Sequence, residues 1–249
     1  AIDGDLWINI PHQAGEAYIR SLAQLLLGEL SAGASLWVEF TNEAWNGGFD
    51  QKAYLEALGN TTGFSGTATA KGRKQYVKSS LDAFRIFQTE WGEANSGRLY
   101  FVLGTQASST TVTTDVADYS DDVTLDSIPM NPDVTKVHAF ALAPYFGLHT
   151  STGERFGDDG VDEGWYLTDT AAQGVARIPT TYRPLAYTHM TDQIASIATL
   201  AGTASKPYTD CIPVCYESGP NVISSGANSG NSNLTTFLQG VLDHADIEA

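Results

Sequence analysis

The feature that most constrains this chain is an alternation: short segments apolar on both faces, each followed by a stretch with helical periodicity. The short segments are Leu6 to His12, Leu36 to Glu43, Arg98 to Gly104, Val137 to Ala143 and Ile212 to Glu217. Between them, Ile19, Leu22, Leu25 and Leu26 recur at helical spacing, as do Val77, Leu81, Phe84, Phe87 and Trp91. A weaker helix is read over Thr111 to Tyr119. Two more carry Met190, Ile194, Ile197 and Ala201, then Leu234, Phe237, Leu238, Val241 and Leu242. A strand with two apolar faces is buried on both, which in an α/β chain means a parallel sheet covered by helices. The Gly/Thr/Ser-rich stretch from Gly59 to Thr69 and the long polar stretch after Phe146 read as loops. Such loops follow strands more often than they precede them, as in a (β/α)8 barrel whose βα loops build the active face. At 249 residues the chain suits one domain of that class.

Composition narrows the function classes. The net charge is −16 and no basic stripe is present to neutralise phosphates, which argues against nucleic acid and anionic membrane surfaces. No apolar run reaches the roughly 18–20 residues of a membrane span. A neutral substrate fits this charge, although acidity is mostly a statement about solubility. Cys211 and Cys215 are four apart on an extended strand, too far to bridge when Cα atoms must come within about 7 Å, unless the chain bends before Pro213. Both read as small buried or half-buried thiols. No His/Cys cluster has zinc spacing, no Gly-rich phosphate loop follows a strand, and the Gly-x-Ser-x-Gly elbow is absent. The acidic run Asp158-Asp159-Gly160-Val161-Asp162-Glu163 lacks EF-hand spacing and reads as a solvated loop, as do Asp121, Asp122 and Asp126. Neither metal nor cofactor is expected.

The chemistry concentrates at two strand ends. Leu36-Trp37-Val38-Glu39-Phe40-Thr41-Asn42-Glu43-Ala44-Trp45-Asn46 reads as a buried strand stopping at an Asn-Glu pair, and Ile212-Pro213-Val214-Cys215-Tyr216-Glu217 stops the same way. A carboxylate at the mouth of a parallel strand is costly to desolvate and does little for folding. It is well placed to move a proton, and two carboxylates on two strand ends are what glycoside hydrolysis requires. Thr41-Asn42-Glu43 resembles clan A of the glycoside hydrolases, retaining (β/α)8 barrels in which an Asn-Glu pair closes strand four and a second Glu closes strand seven. Ala143-Pro144-Tyr145 resembles the strand-six end of that clan. The resemblance implies Glu43 as acid/base, Glu217 as nucleophile, Asn42 as donor to the sugar 2-hydroxyl and Tyr145 as the group that orients Glu217. It covers most of the chain.

On this reading the five visible strands are strands three to seven. Strands one and two are not visible and strand eight is not placed, so the expectation is an incomplete (β/α)8 barrel. It forms a single catalytic domain over residues 1–249, within a longer chain, with neither the early-strand Arg nor the late-strand Trp of the clan. The expected substrate is a neutral oligo- or polysaccharide with β-glycosidic bonds, which implies an extracellular or periplasmic setting. Further sugar contacts are expected at His12 and Gln106, on strand ends, and at Trp45 and Trp165, as stacking platforms. Each has a plainer alternative: packing for Trp45, loop anchoring for Trp165, a dipole-stabilised helix-start carboxylate for Glu43 and a water-facing strand end for Glu217. Glu39 shares strand parity with Glu43 and reads as a buried, paired structural carboxylate. His138, opening its strand, reads as structural, and Trp7, Trp37 and Trp91 as core. The rival functions are a carbohydrate-binding barrel without chemistry and a structural or interaction module of the same architecture.

Overall fold

The structure, a computed structural model, describes residues 3–106, 109–133, 135–143, 145–146, 149–151, 170–177, 211–220 and 223–225, with 232, 236, 237, 239, 240 and 243. By its internal contacts the chain divides into two compact units, Ala1–Leu142 with Ile194–Val214, and Ala143–Gln193 with Cys215–Ala249.

The first unit is built on β1 (Leu6–Ile10), α1 (Glu16–Glu29), β2 (Leu36–Phe40), α2 (Asp50–Thr62), α3 (Ala68–Asn95), β3 (Leu99–Gly104) and α4 (Thr110–Asp121). A short hairpin of β4 (Thr124–Leu125) and β5 (Ile128–Pro129) follows, then β6 (Ala139–Leu142). The remaining described elements are β7 (Tyr145–Phe146), β8 (His149–Ser151), α5 (Ala171–Arg177), β9 (Ile212–Cys215), β10 (Gly219–Pro220) and β11 (Ile223–Ser225). The five anticipated strands are β1, β2, β3, β6 and β9, and they form one parallel sheet in that order. Each strand lies beside its predecessor in the main sheet. Among the described residues the sheet is open, with β1 and β9 at its two edges. In the second unit β10 pairs with β7 and β11 with β8, both parallel.

Strand parity divides the sheet into two unlike faces. Leu36, Val38 and Phe40 of β2, Leu99, Phe101 and Leu103 of β3, and Phe140 and Leu142 of β6 join the helices in one core. From α3 that core takes Val77, Leu81, Phe84, Phe87 and Trp91, the stripe expected from the sequence. Burying each such side chain contributes roughly 1.5–3 kcal/mol. Thr67 starts α3 by accepting the Ala70 N–H, and Trp91 donates its indole N–H to the Ala23 carbonyl on α1 at 3.0 Å. On α1, Ile19, Ala23 and Leu26 are buried while Leu25 is 59% exposed, so the inward stripe is narrower than its spacing suggested.

The opposite face carries Trp7, Trp37 and Tyr100, in register across β1, β2 and β3. Their rings stack at 6.2 and 4.5 Å between centroids. Trp7 and Trp37 are therefore not part of the helix-side core; they are half-buried in a ladder of their own, and only Trp91 is core as anticipated. His138 extends the ladder edge-on to Tyr100 and accepts the Phe101 N–H at Nδ1, which fits the structural role read for it. Burial, then the charge of Lys136, lowers its pKa to about 4.

Several expectations are corrected here. The stretch from Gly59 is not all loop: α2 runs to Thr62 and is stopped by Gly63, which takes the left-handed conformation at φ 96°. Gly59 lies inside α2 because the helix passes close to α3, where a Cβ would meet the Lys71 carbonyl carbon at 2.8 Å. Asp126 is an exposed acid in the turn between β4 and β5, as read, but it has partners. It holds Lys74 at 2.7 Å and the Ser65 N–H and hydroxyl at 2.9 and 2.7 Å, and these bonds lower its pKa to about 2. Cys211 is half-buried, as anticipated, with its Sγ on the Val137 carbonyl, but Cys215 is exposed; the two are not joined in a disulfide. β9 itself is largely exposed, Ile212 at 47%, unlike the buried strand read from its sequence.

Candidate functional site

The backbone at the end of β2 is unusual. Thr41 and Glu43, neither of them glycine, sit at φ 54° and 44° on either side of Asn42. Left-handed conformations cost non-glycine residues of order 1 kcal/mol or more, persist only where surroundings enforce them, and cluster at functional sites. Here the Thr41 N–H is held by the Ile10 carbonyl at 2.9 Å and the Asn46 N–H by the Glu43 carbonyl at 2.9 Å. The Asn42 carbonyl accepts from Gln51 Nε2 at 2.6 Å, tying the turn to α2.

This turn orients the Glu43 carboxyl. Asn46 Nδ2 donates to Glu43 Oε2 at 2.7 Å, while Asn46 Oδ1 accepts the Gly48 N–H at 2.9 Å, so the amide is fixed from both ends. Glu43 and Asn42 are both half-buried. Asn46 was missed as a site residue from the sequence; its signal is its place three residues after the glutamate, where one turn brings the side chains together.

Behind Glu43, on the face of β2 opposite the helices, Glu39 is fully buried. It is not paired with a cation. Trp7 Nε1 donates to Oε2 at 3.0 Å, and Oε1 has no hydrogen-bond partner. Desolvation raises the Glu39 pKa to about 8 against the lowering effect of the Trp7 bond, and the charge of Glu43 raises it further. At neutral pH Glu39 is thus an uncharged acid. Its Oε1 lies beside Gly104 at the end of β3, where a Cβ would come within 2.7 Å of it and within 3.4 Å of the Trp45 ring. Tyr76 of α3 accepts the Gly104 N–H at 2.8 Å, and burial, then the charge of Glu39, raises its pKa. Trp45 is half-buried and also packs against the core.

The other expected residues are placed variously. Gln106 is half-buried two residues past β3, and its carbonyl accepts the Ser109 N–H. His12 shares a cleft of about 500 Å3 with Phe40, Arg20, Tyr54, Asp82 and Arg85, among side chains of α1, α2 and α3. Its ring sits edge-on to Tyr54 at 5.1 Å. Phe40 belongs to the helix side of β2 and Glu39 to the other, so His12 is grouped with the helix layer.

In the second unit, Glu217 is exposed and lies two residues past β9, its carbonyl on Cys215 Sγ at 3.0 Å. Tyr145 is in register with Gly219 across β7 and β10, so its backbone adjoins the segment that follows Glu217. Trp165, the acidic run from Asp158 to Glu163 and the helix expected around Met190 lie outside the described residues. So does most of the final helix. Among the described residues no three His, Cys, Asp or Glu side chains are grouped to hold a metal ion, and no helix is long and apolar enough to cross a membrane.

Compared with models of protein families, with curated proteins and with solved structures, the chain finds no match.

Proposed function

We propose that this chain is a retaining glycoside hydrolase on a (β/α)8-type barrel scaffold, acting on β-glycosidic bonds of a neutral oligo- or polysaccharide outside the cytoplasm. The observation that carries the reading is the strained Thr41-Asn42-Glu43 turn, which presents an Asn46-oriented carboxyl at the C-terminal end of a parallel strand. Active residues of such sheets gather at that edge. The succession of β1, β2, β3, β6 and β9 in chain order is that of barrel strands, and Glu217 follows the C-terminal end of another strand of the same sheet.

In this mechanism the Glu217 carboxylate attacks the anomeric carbon as Glu43 gives its proton to the departing glycosidic oxygen. Water then attacks the glycosyl-enzyme, Glu43 takes the water's proton, and Glu217 leaves as carboxylate. Asn42 donates to the sugar 2-hydroxyl, Tyr145 orients Glu217, and Trp45, Gln106 and Trp165 contribute sugar contacts. No cofactor enters.

Release of reducing ends from a panel of neutral β-linked polysaccharides tests the reading, with NMR reporting the anomer first formed. Wild type is expected to release product with retained configuration, and Glu217→Ala and Glu43→Ala to lose it while keeping the native circular dichroism. Unchanged turnover in folded Glu217→Ala overturns the assignment. The rival reading, sugar binding without hydrolysis, draws on the exposure of Glu217, since a nucleophile is usually more enclosed. Binding of the same polysaccharides by wild type without release of reducing ends would favour it.

A further inference from the structure

Glu39 is the one acid among the described residues that is wholly buried, and one of its oxygens has no hydrogen-bond partner. Leaving a buried acceptor unsatisfied costs roughly 1–3 kcal/mol, so a fold keeps such a group when something depends on it. What lies beside that oxygen is specific. A Cβ on Gly104 would stand 2.7 Å from Glu39 Oε1 and 3.4 Å from the Trp45 six-membered ring, so both groups line the space the glycine leaves. A methyl at position 104 would displace the Glu39 carboxyl from that space.

We propose that Glu39 is a positioning residue for Trp45: its uncharged carboxyl seats the indole beside Gly104, and loss of its proton unseats the ring. An uncharged carboxyl can lie against an apolar ring at little cost. A carboxylate needs donors on both oxygens, and only Oε2 has one, from Trp7. The Trp45 ring lines the same space beside Gly104 as Oε1, so movement of the ring opens that space to a donor for the charged oxygen. The groups facing Glu39 among the described residues are the Trp7 indole from β1, Glu43 from the turn after β2, and Tyr76 from α3. Trp7 does not titrate, Glu43 adds negative charge that opposes ionisation of Glu39, and Tyr76 is held neutral by burial. Gly104 and Trp45 bring no charge. The transition therefore belongs to Glu39, in the alkaline range where its buried carboxyl ionises.

That unseating Trp45 also weakens sugar binding rests on the glycosidase reading; the movement of the ring does not. The test needs no substrate. The emission of Trp45 is obtained as the difference between matched proteins with and without Trp45→Phe, with Trp7 kept in both so that its bond to Glu39 stays intact and its own emission cancels. Across pH 6 to 10 the Trp45 emission is expected to change in one step centred near the Glu39 pKa of about 8, and to stay flat in Glu39→Gln. A flat wild-type signal, or the same step in Glu39→Gln, overturns the proposal. If Glu39→Gln does not fold, Gly104→Ala replaces it: the added methyl is expected to give, at pH 7, the Trp45 emission wild type shows at high pH, and an unchanged spectrum overturns the proposal. Hydrolysis assays on the same proteins read the proposed function separately, so either idea can fail while the other stands.

Discussion

At the scale of single residues, the β2 end shows how little of a side chain's chemistry its identity determines. Glu39 and Glu43 are the same amino acid four positions apart, yet one is sealed and uncharged and the other half-buried and held by an amide. For Glu39 the sign of the pH effect follows from its raised folded-state pKa. The folded protein keeps a proton that the unfolded chain releases above about pH 4.5, so this contribution to stability is full below that pH and is lost as the pH rises through about 8. The slope is at most about 1.4 kcal/mol per pH unit. Glu39→Gln is expected to flatten it, which urea midpoints at pH 5 and pH 8 in both proteins would show. On the proposed glycosidase mechanism, Asn46→Ala removes one hydrogen bond that orients the Glu43 carboxyl and is expected to lower kcat by up to about 100-fold with KM nearly unchanged, because the loss is one of orientation. His12→Ala, grouped with the helix layer, is expected to leave both parameters close to wild type. The Asn-Glu pair was legible in the sequence. The state of Glu39 was not, because it depends on Gly104, which lies on another strand and comes beside it only after the sheet has formed.

At the scale of elements, α3 was legible and α2 was not. The apolar stripe of α3 is long enough to register as periodicity, and each of its members is buried. In α2 the apolar residues are few, and Gly59 and the polar residues after it imitate a loop. The helix is held instead by its neighbour, through the close passage at Gly59 and the side-chain bonds from Thr62 to Gln75 and from Lys71 to Asn60. Gly59→Ala would force the added methyl into the Lys71 carbonyl, and overpacking against backbone of this kind costs typically 1–3 kcal/mol. A loss of that size in chemical denaturation, with the m-value unchanged, is the expected outcome. The tryptophans teach a related lesson. Composition marks Trp7 and Trp37 as core, but strand parity sends them to the face opposite the helices, where they stack on one another and on Tyr100.

At the scale of the whole molecule, strand succession was legible because the apolar segments from β1 to β6 alternate with helices among the described residues. Closure was not, since it depends on the two edge strands rather than on any local pattern. The charge of −16 acts at this scale too. Self-repulsion opposes the compact state and is screened by salt, so the thermal midpoint is expected to rise between about 10 and 200 mM sodium chloride. A midpoint independent of salt would show that the charges are too dispersed to matter. The sequential sheet has a consequence for biosynthesis. Every strand of the main sheet pairs with a neighbour already made, so pairing can advance in the direction of translation. At about 5–20 residues per second, the ribosome releases β1, β2 and β3 with their helices well before β9. The α1, α2 and α3 layer can then consolidate over the nascent sheet, and the last strand to emerge docks onto an edge that is already waiting.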